Sequence, residues 1–479
     1  MFEKVFKLSE NGTTVKTELV AGLTTFMTMA YIIALNPNLL TNFGAEGAEL
    51  WNGVFMATCI ASAVGMFCMA FMANKPFCLA PGMGLNSFFA VVVGNIVAMT
   101  GMTYVASFQA ALIIILIEGI LFVILSIFNV REKIVESIPL GIRMGISPAI
   151  GLMLMNIGLG SNVGIYCEGN GFAAPFYVMR DFFGALTPSV LQTNMGDTGY
   201  ATMILTVITM FAGLFAIVAM AKKGIKGAVL FGMLLASVVY WVGSFAFLNT
   251  NPFASLAAAS FAPPFADMFS TTFFKFNFQG FLEIGWFTVI TLTITFCIID
   301  MFDTIGTLVG TASRADMVDE EGNMPNMKEA LMADAIGTMT GACTGTSTVT
   351  TFVESAAGVE AGGRTGLTAL FCGILFLACM FIAPIAAIIP AAATSSALIY
   401  VGVLMLQGLK NVDFDDMDQM VPVCLMLLAM PVSGSIGHGI GLGLIAYTII
   451  KIFGGKAKEV SLLTYVISAL FLVKFFLAV

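Results

Sequence analysis

Long apolar runs separated by short polar stretches recur along the whole chain. They fall near 17–40, 52–72, 77–99, 104–130, 134–160, 199–221, 226–248, 282–310, 328–346, 348–359, 363–388, 390–409, 417–432, 434–453 and 460–478. Most are long enough to cross the ~30 Å hydrocarbon core of a bilayer as a helix. Several are too short or too interrupted to cross alone. In the third, Pro76 and Pro81 remove backbone donors, and Gly82 and Gly84 disfavour a continuous helix. In the tenth, Thr346 to Val353 is rich in β-branched residues, which suit extended backbone. Each reads as a short strand feeding a half-helix, one beginning near Asn86 and the other near Glu354. Irregular backbone at membrane depth is tolerated only where it pairs or lines a wet cavity. The two strands are therefore expected to pair at the centre, with both half-helices pointing N–H groups at a common ligand.

Composition places the chain among membrane proteins. Its 479 residues are 59% hydrophobic and 10% charged, with a mean hydropathy of +0.98, whereas soluble domains carry ~25% charged residues. The fold class this predicts is an all-α polytopic membrane protein. With a cytoplasmic N-terminus, all but Arg180, Lys275 and Lys474 of the 20 Lys and Arg fall on the cytoplasmic side, so the positive-inside rule selects that orientation. The segment 460–478 fits less well: it either carries the C-terminus outward or lies at the interface. The charged stub before the first span lacks a small-residue cleavage site and does not read as a cleavable signal. Nine cysteines lie mostly within apolar runs with no CxxC pair, which indicates packing thiols and neither disulfides nor metal. No GxxxxGK[ST] motif supplies an ATP motor, no cofactor is implied, and no basic patch suggests nucleic acid.

Two halves echo each other. IPLGIRMGISPAIGLMLMNIGL (138–159) resembles IPAAATSSALIYVGVLMLQGL (389–409), and Pro139 is separated from Gly151 as Pro390 is from Gly402. Asn86-Ser87 and Glu354-Ser355 form a second pair, each after an irregular stretch. Together they predict about fourteen transmembrane segments in a 7+7 inverted repeat, because an odd number of spans per half reverses the second copy. Interrupted segments in corresponding positions of such a repeat mark a secondary transporter's site.

The candidate chemistry is acidic. Asp300 follows a run from Ile284 to Ile299 without charge. An ionised carboxylate at that depth costs ~2.5–3.5 kcal/mol and persists mainly where it has a function. Asp303 shares its helix face with Asp300, with Thr304 and Thr307 close by; the plainer reading makes it the solvated start of a loop. Glu354 reads either as a ligand for substrate or as an acid favoured by a helix N-terminus. Asn86 reads as a site residue or as a cap or interhelical hydrogen bond. Asp334 is either interfacial or a partner holding Asp300 or the strand. Gly337, Gly341 and Gly345 have small-xxx-small spacing for close helix packing. His438, among glycines, reads as packing rather than a proton relay. Ionised carboxylates accept hydrogen bonds only, so they favour ligands that present N–H donors. A carboxyl kept from water also takes up a proton more readily, which suits proton coupling.

At these residues the sequence resembles the AzgA-like purine permeases of the nucleobase–ascorbate/cation symporter superfamily, which have the uracil-permease fold. The resemblance spans essentially the whole chain and is strongest in TELVAGLTTFMTMAYIIALNP (17–37), FCLAPGMGLNSFFA (77–90), IDMFDTIGTLVG (299–310) and from MADAIG (332–337) through TFVESAAGVEAGGRTG (351–366). It implies a core domain, formed by 1–130 and 281–388, and a gate domain, formed by 131–250 and 389–479. It further implies that Asp300 and Glu354 bond a purine ring, with Asn86 lining the site and Asp303 supporting transport. Phe352 would pack near the base, with backbone N–H groups around Leu85 and Val353, and with Ser355 and Thr304 at the site. Asp300, Asp303 and Asp334 would serve proton coupling or support it. A homodimer through the gate domain is a further family expectation. The hydrophobic segment beyond the fourteenth span departs from the family pattern.

The resulting expectation is a proton-coupled importer of adenine, guanine or hypoxanthine in a bacterial inner membrane, working by alternating access. The rivals are an anion carrier for sulfate or bicarbonate on the same fold, and a passive channel. Glu354 opposes the first, and the single off-axis acidic cluster opposes the second. No nucleophile–base arrangement points to an enzyme.

Overall fold

The computed structural model describes residues 2–44, 46–128, 139–160, 166–168, 180–182, 188–314, 317, 324–433 and 435–477. Arg131 and Lys133, used above to orient the chain, lie outside them. So do the boundary at 130/131 and the first residues of the expected span 134–160.

The protein is mostly helical. Among the described residues, 11 helices are long and apolar enough to cross a membrane, and Met417–Ser433 and Leu462–Val473 are shorter apolar helices. The expected span 348–359 does not cross as a helix: it consists of a three-residue strand and the six-residue helix Ser355–Glu360. Many hydroxyls in the spans return to their own helix backbone. Thr291 and Thr295 both return their Oγ1 hydrogen to the carbonyl four residues back at 2.7 Å, which makes a threonine-rich helix compatible with lipid.

Four strands occur among the described residues: β1 (Leu79–Pro81), β2 (Tyr166–Glu168), β3 (Arg180–Phe182) and β4 (Val349–Thr351). β2 and β3 form a separate hairpin-like pair. β1 and β4 run antiparallel with Leu79 opposite Thr351, Ala80 opposite Thr350 and Pro81 opposite Val349. The ladder is extended at both ends, by Phe352 N donating to Cys78 O at 2.9 Å and Gly82 N donating to Thr348 O at 3.1 Å. Either strand alone would leave backbone groups unpaired in a dry interior, so each half of the chain satisfies the other.

Glycine lets the neighbouring helices come this close. A side chain on Gly337 would meet Val349 Cγ1 at 3.0 Å, and one on Gly65 would meet Leu79 Cβ at 3.4 Å. Gly337 lies in Met327–Thr344 and Gly65 in Trp51–Cys68, which pack against each other behind the strands. Gly345 ends the first of these helices at φ +109°, a conformation other residues rarely adopt.

The first half-helix begins at Met83, with Gly82 as an extended cap, and runs to Thr100. Its start is earlier than the expected position near Asn86. Gly82 is the last residue held by the ladder, and Asn86 N already closes a helical turn on Gly82 O at 2.8 Å. The second begins at Ser355 with Glu354 in the cap position. At six residues it is too short to present much of a macrodipole, so the acid side chain is its main offering. Leu140–Leu159 and Ala391–Met405, the two echoing segments, are both capped by proline, at Pro139 and Pro390, and pack against each other.

Candidate functional site

The site forms where β4 leaves the strand pair and meets the helix Trp286–Arg314. Thr304, on that helix, is the hub. Its Oγ1 lies 3.1 Å from Asp300 Oδ1, 2.9 Å from Asp334 Oδ1 and 2.7 Å from Thr350 Oγ1. Asp300 and Thr304 are one helical turn apart, Asp334 comes from Met327–Thr344, and Thr350 is the centre of β4. All four are buried. Asp334 is therefore an interior partner of Thr304. A hydroxyl has one hydrogen, so Thr304 cannot donate fully to both carboxylates at once.

Asp303, on the same helix, is partly exposed. It looks toward the start of the first half-helix, where a side chain on Gly82 would lie 3.6 Å from Asp303 Oδ2. Glu354 is also partly exposed, and it accepts a hydrogen bond from Tyr31 Oη at 2.8 Å on Oε1. The neighbouring Val353 side chain is 55% exposed, whereas Leu85, Asn86 and Ser355 are 0–1% exposed and Phe352 6%. Val353, Glu354 and Asp303 thus keep accessible surface, whereas Asp300 is buried. The helix Trp286–Arg314 packs against Ser355–Glu360.

Several expected site residues are committed to scaffolding. Asn86 Nδ2 donates to Asn36 Oδ1 at 2.7 Å and Pro81 O at 3.2 Å, and its Oδ1 accepts from Ser347 Oγ. Asn36 Nδ2 donates in turn to Thr58 Oγ1 and Thr346 Oγ1, each at 2.8 Å. This amide pair ties the first half-helix to the stretch that precedes β4. Ser355 Oγ accepts from Cys78 N at 2.9 Å, continuing the strand contacts with a side chain. His438 sits in the first turn of Ile436–Phe453, its ring edge-on to Phe475 with centroids 5.6 Å apart.

Four polar residues central to this region were not singled out from sequence: Glu18, Tyr31, Asn36 and Glu118. Glu118 is fully buried in Tyr104–Ile127 and accepts from Thr348 Oγ1 at 2.8 Å. The depth argument that found Asp300 applies to it equally, since it is the single Asp, Glu, Lys or Arg in the helix Tyr104–Ile127. Glu18 is fully buried and accepts from Arg364 N at 2.8 Å, Thr368 N at 3.2 Å and Thr368 Oγ1 at 2.6 Å. Its position at the edge of the first span disguised it as a headgroup-level acid. Tyr31 and Asn36 carry no local signal of their partners.

Membrane-crossing helices around a buried acidic centre, held by strands from both halves, define a polytopic membrane transport protein. A family model described as Permease family (Xan_ur_permease) matches residues 16–433, and the chain belongs to that family. It is 37% identical over 476 residues to the guanine/hypoxanthine permease PbuO of Bacillus subtilis, covering 99% of this chain and 100% of that protein. It is 36% identical to the adenine permease AdeP of Escherichia coli, covering 99% and 96%. The motifs that carry the resemblance to AzgA-like purine permeases all lie within the matched region, and the resemblance holds. Permeases are transporters and not enzymes. Among solved structures, the chain is similar to the transmembrane domain of the cyanobacterium bicarbonate transporter BicA, with a TM-score of 0.58 at 15% identity over 88% of this chain and 97% of that one. It is also similar to the murine Slc26a9 anion transporter in the inward-facing state, with a TM-score of 0.59 at 12% identity over 92% and 68%. At such identities the likeness concerns the fold.

Proposed function

We propose that the protein imports a purine nucleobase (adenine, guanine or hypoxanthine) together with a proton, by alternating access. The observation that carries this reading is the pairing of a partly exposed acid, Glu354, at the strand-to-helix junction with a buried one, Asp300, linked to β4 through Thr304. A purine offers ring and exocyclic N–H donors, and ionised carboxylates accept them and nothing else. Glu354 accepts the base first, beside Phe352 and the N–H groups near Leu85 and Val353. Asp303 borders the same opening. Asp300, sharing Thr304 with Asp334, takes the coupled proton and reaches the base as the site opens. The names of the curated relatives point to the same ligands.

The architecture that suits this cycle has about fourteen segments in a 7+7 inverted repeat. Residues 1–130 and 281–388 act as the core and 131–250 and 389–479 as the gate, and the core moves against the gate to switch access. The N-terminus lies in the cytoplasm of a bacterial inner membrane, and two copies associate through the gate. The anion-carrier alternative shares the fold. Carboxylates at the centre repel an anion.

The test is uptake of labelled adenine, guanine and hypoxanthine, each competed by the others, across a pH series in cells lacking their own permeases. Accumulation against a gradient that a protonophore collapses is expected. Glu354→Ala and Asp300→Ala should each abolish it at normal membrane abundance. Unchanged uptake in either variant removes the proposed site, and equilibration without accumulation turns the reading toward a channel.

A further inference from the structure

The first span contains a residue that the transport reading leaves unused, and it touches the acid on which that reading depends. Tyr31 is completely buried, and its hydroxyl donates to Glu354 Oε1 at 2.8 Å. It stands at the junction between the helices Val15–Met29 and Ile32–Leu40. The same span grips the segment that follows Glu354. Gly358 has no room for a side chain, which would collide with Thr25 Oγ1 and lie 2.9 Å from the Ala21 carbonyl oxygen. Gly363 is pressed in the same way against Ala21 Cβ, at 3.0 Å. Glu18 then accepts from the backbone of Arg364 and Thr368. From Glu18 to Tyr31 the first span is a splint along Ser355–Glu360.

A helix of six residues has too few internal bonds to set its own direction. A glutamate side chain at its cap has several rotamers, and freezing one costs entropy that binding would otherwise have to supply. Tyr31 meets that need from a rigid, dry position. We propose that Tyr31 is a positioning residue of the substrate site: its hydroxyl engages one oxygen of Glu354 and presents the other to the base. It therefore governs affinity and not the rate of the conformational cycle. The inference rests on Glu354 being the acceptor proposed above.

Tyr31→Phe keeps the buried ring and removes only the hydroxyl. Concentration dependence of labelled adenine, guanine and hypoxanthine uptake is measured for wild type, Tyr31→Phe and Glu354→Gln, with membrane abundance and melting temperature of each. The expected result for Tyr31→Phe is a KM raised about tenfold or more, as loss of a hydrogen bond to a charged group implies. Its maximal rate should stay within about twofold of wild type, with abundance unchanged. A wild-type KM combined with lower abundance or melting temperature, or failure of Tyr31→Phe to reach the membrane, makes the hydroxyl structural and overturns the proposal. Glu354→Gln separates the two layers. If it transports with wild-type KM, the acceptor reading fails; if it loses uptake while Tyr31→Phe keeps its KM, only the positioning role fails.

Discussion

Gly151 and Gly402 face each other across a helix crossing, and each backbone carbonyl occupies the space where the other's side chain would stand. A Cβ on Gly151 would lie 2.5 Å from Gly402 O, and one on Gly402 would lie 2.5 Å from Gly151 O. The contact is reciprocal, one residue meeting the second as the second meets the first. The helices involved, Leu140–Leu159 and Ala391–Met405, are those whose Pro and Gly spacings match in sequence.

That crossing should be intolerant of any side chain. Gly151→Ala or Gly402→Ala forces backbone apart and is expected to cost about 1–3 kcal/mol, read as a lower melting temperature of the purified protein in detergent. Gly94→Ala is the control, since a Cβ there meets nothing within 4 Å and it lies within the helix Met83–Thr100. Its melting temperature should hold or rise slightly. Equal melting of all three would mean that the crossing is loose.

Thr304→Val preserves shape and deletes the hydroxyl shared by Asp300, Asp334 and Thr350. The loss should destabilise the protein by about 1–3 kcal/mol and suppress uptake at least tenfold by the same accounting. Thr304→Ser should retain most of both. Transport by the valine variant at the wild-type rate would show that the carboxylates do not need this donor.

Glu118 tests the opposite expectation, that a buried acid serves structure alone. Glu118→Gln keeps an acceptor for Thr348 and should transport within about threefold of wild type. Glu118→Leu strands that hydroxyl beside β4, costing about 1–3 kcal/mol in a melting experiment. Complete loss of uptake in the glutamine variant would instead give Glu118 a part in proton movement.

Glu18→Ala removes the acceptor for the N-terminal turn of Gly366–Ala378, a capping role filled from another helix. About 2 kcal/mol is the expected cost, on the scale of a lost cap. Faster proteolysis within 361–366 should accompany it. An unaltered cleavage rate there would argue that Thr365, whose hydroxyl accepts the cap contact from Leu367 N, suffices.

Much of the layout was legible before any coordinates. Most of the apolar runs are helices, because a segment that must leave water advertises it in composition over twenty residues. The break after Ala73 was legible in Pro76, Pro81 and Gly82. Reading acids at depth found Asp300 and Glu354, and the same reasoning would have found Glu118 had it been applied inside a run as well as at its end. Asn86 shows the limit: its side chain turned out to hold Asn36 and Ser347, and nothing local distinguishes a scaffold amide from a ligand one.

The sequence by itself determined that this chain lives in a membrane, where its helices cannot continue, and which buried acids need a reason to be there. These are local properties, since solvation and helix propensity act on neighbouring residues. The tertiary structure decided which oxygen meets which hydroxyl: Tyr31 and Glu354 are 323 positions apart and bond directly. It also decided that Asp300 is sealed while Glu354 and Asp303 keep open surface. Pairings of that kind follow from how two strands and their flanking helices pack, so no stretch of chain contains them alone.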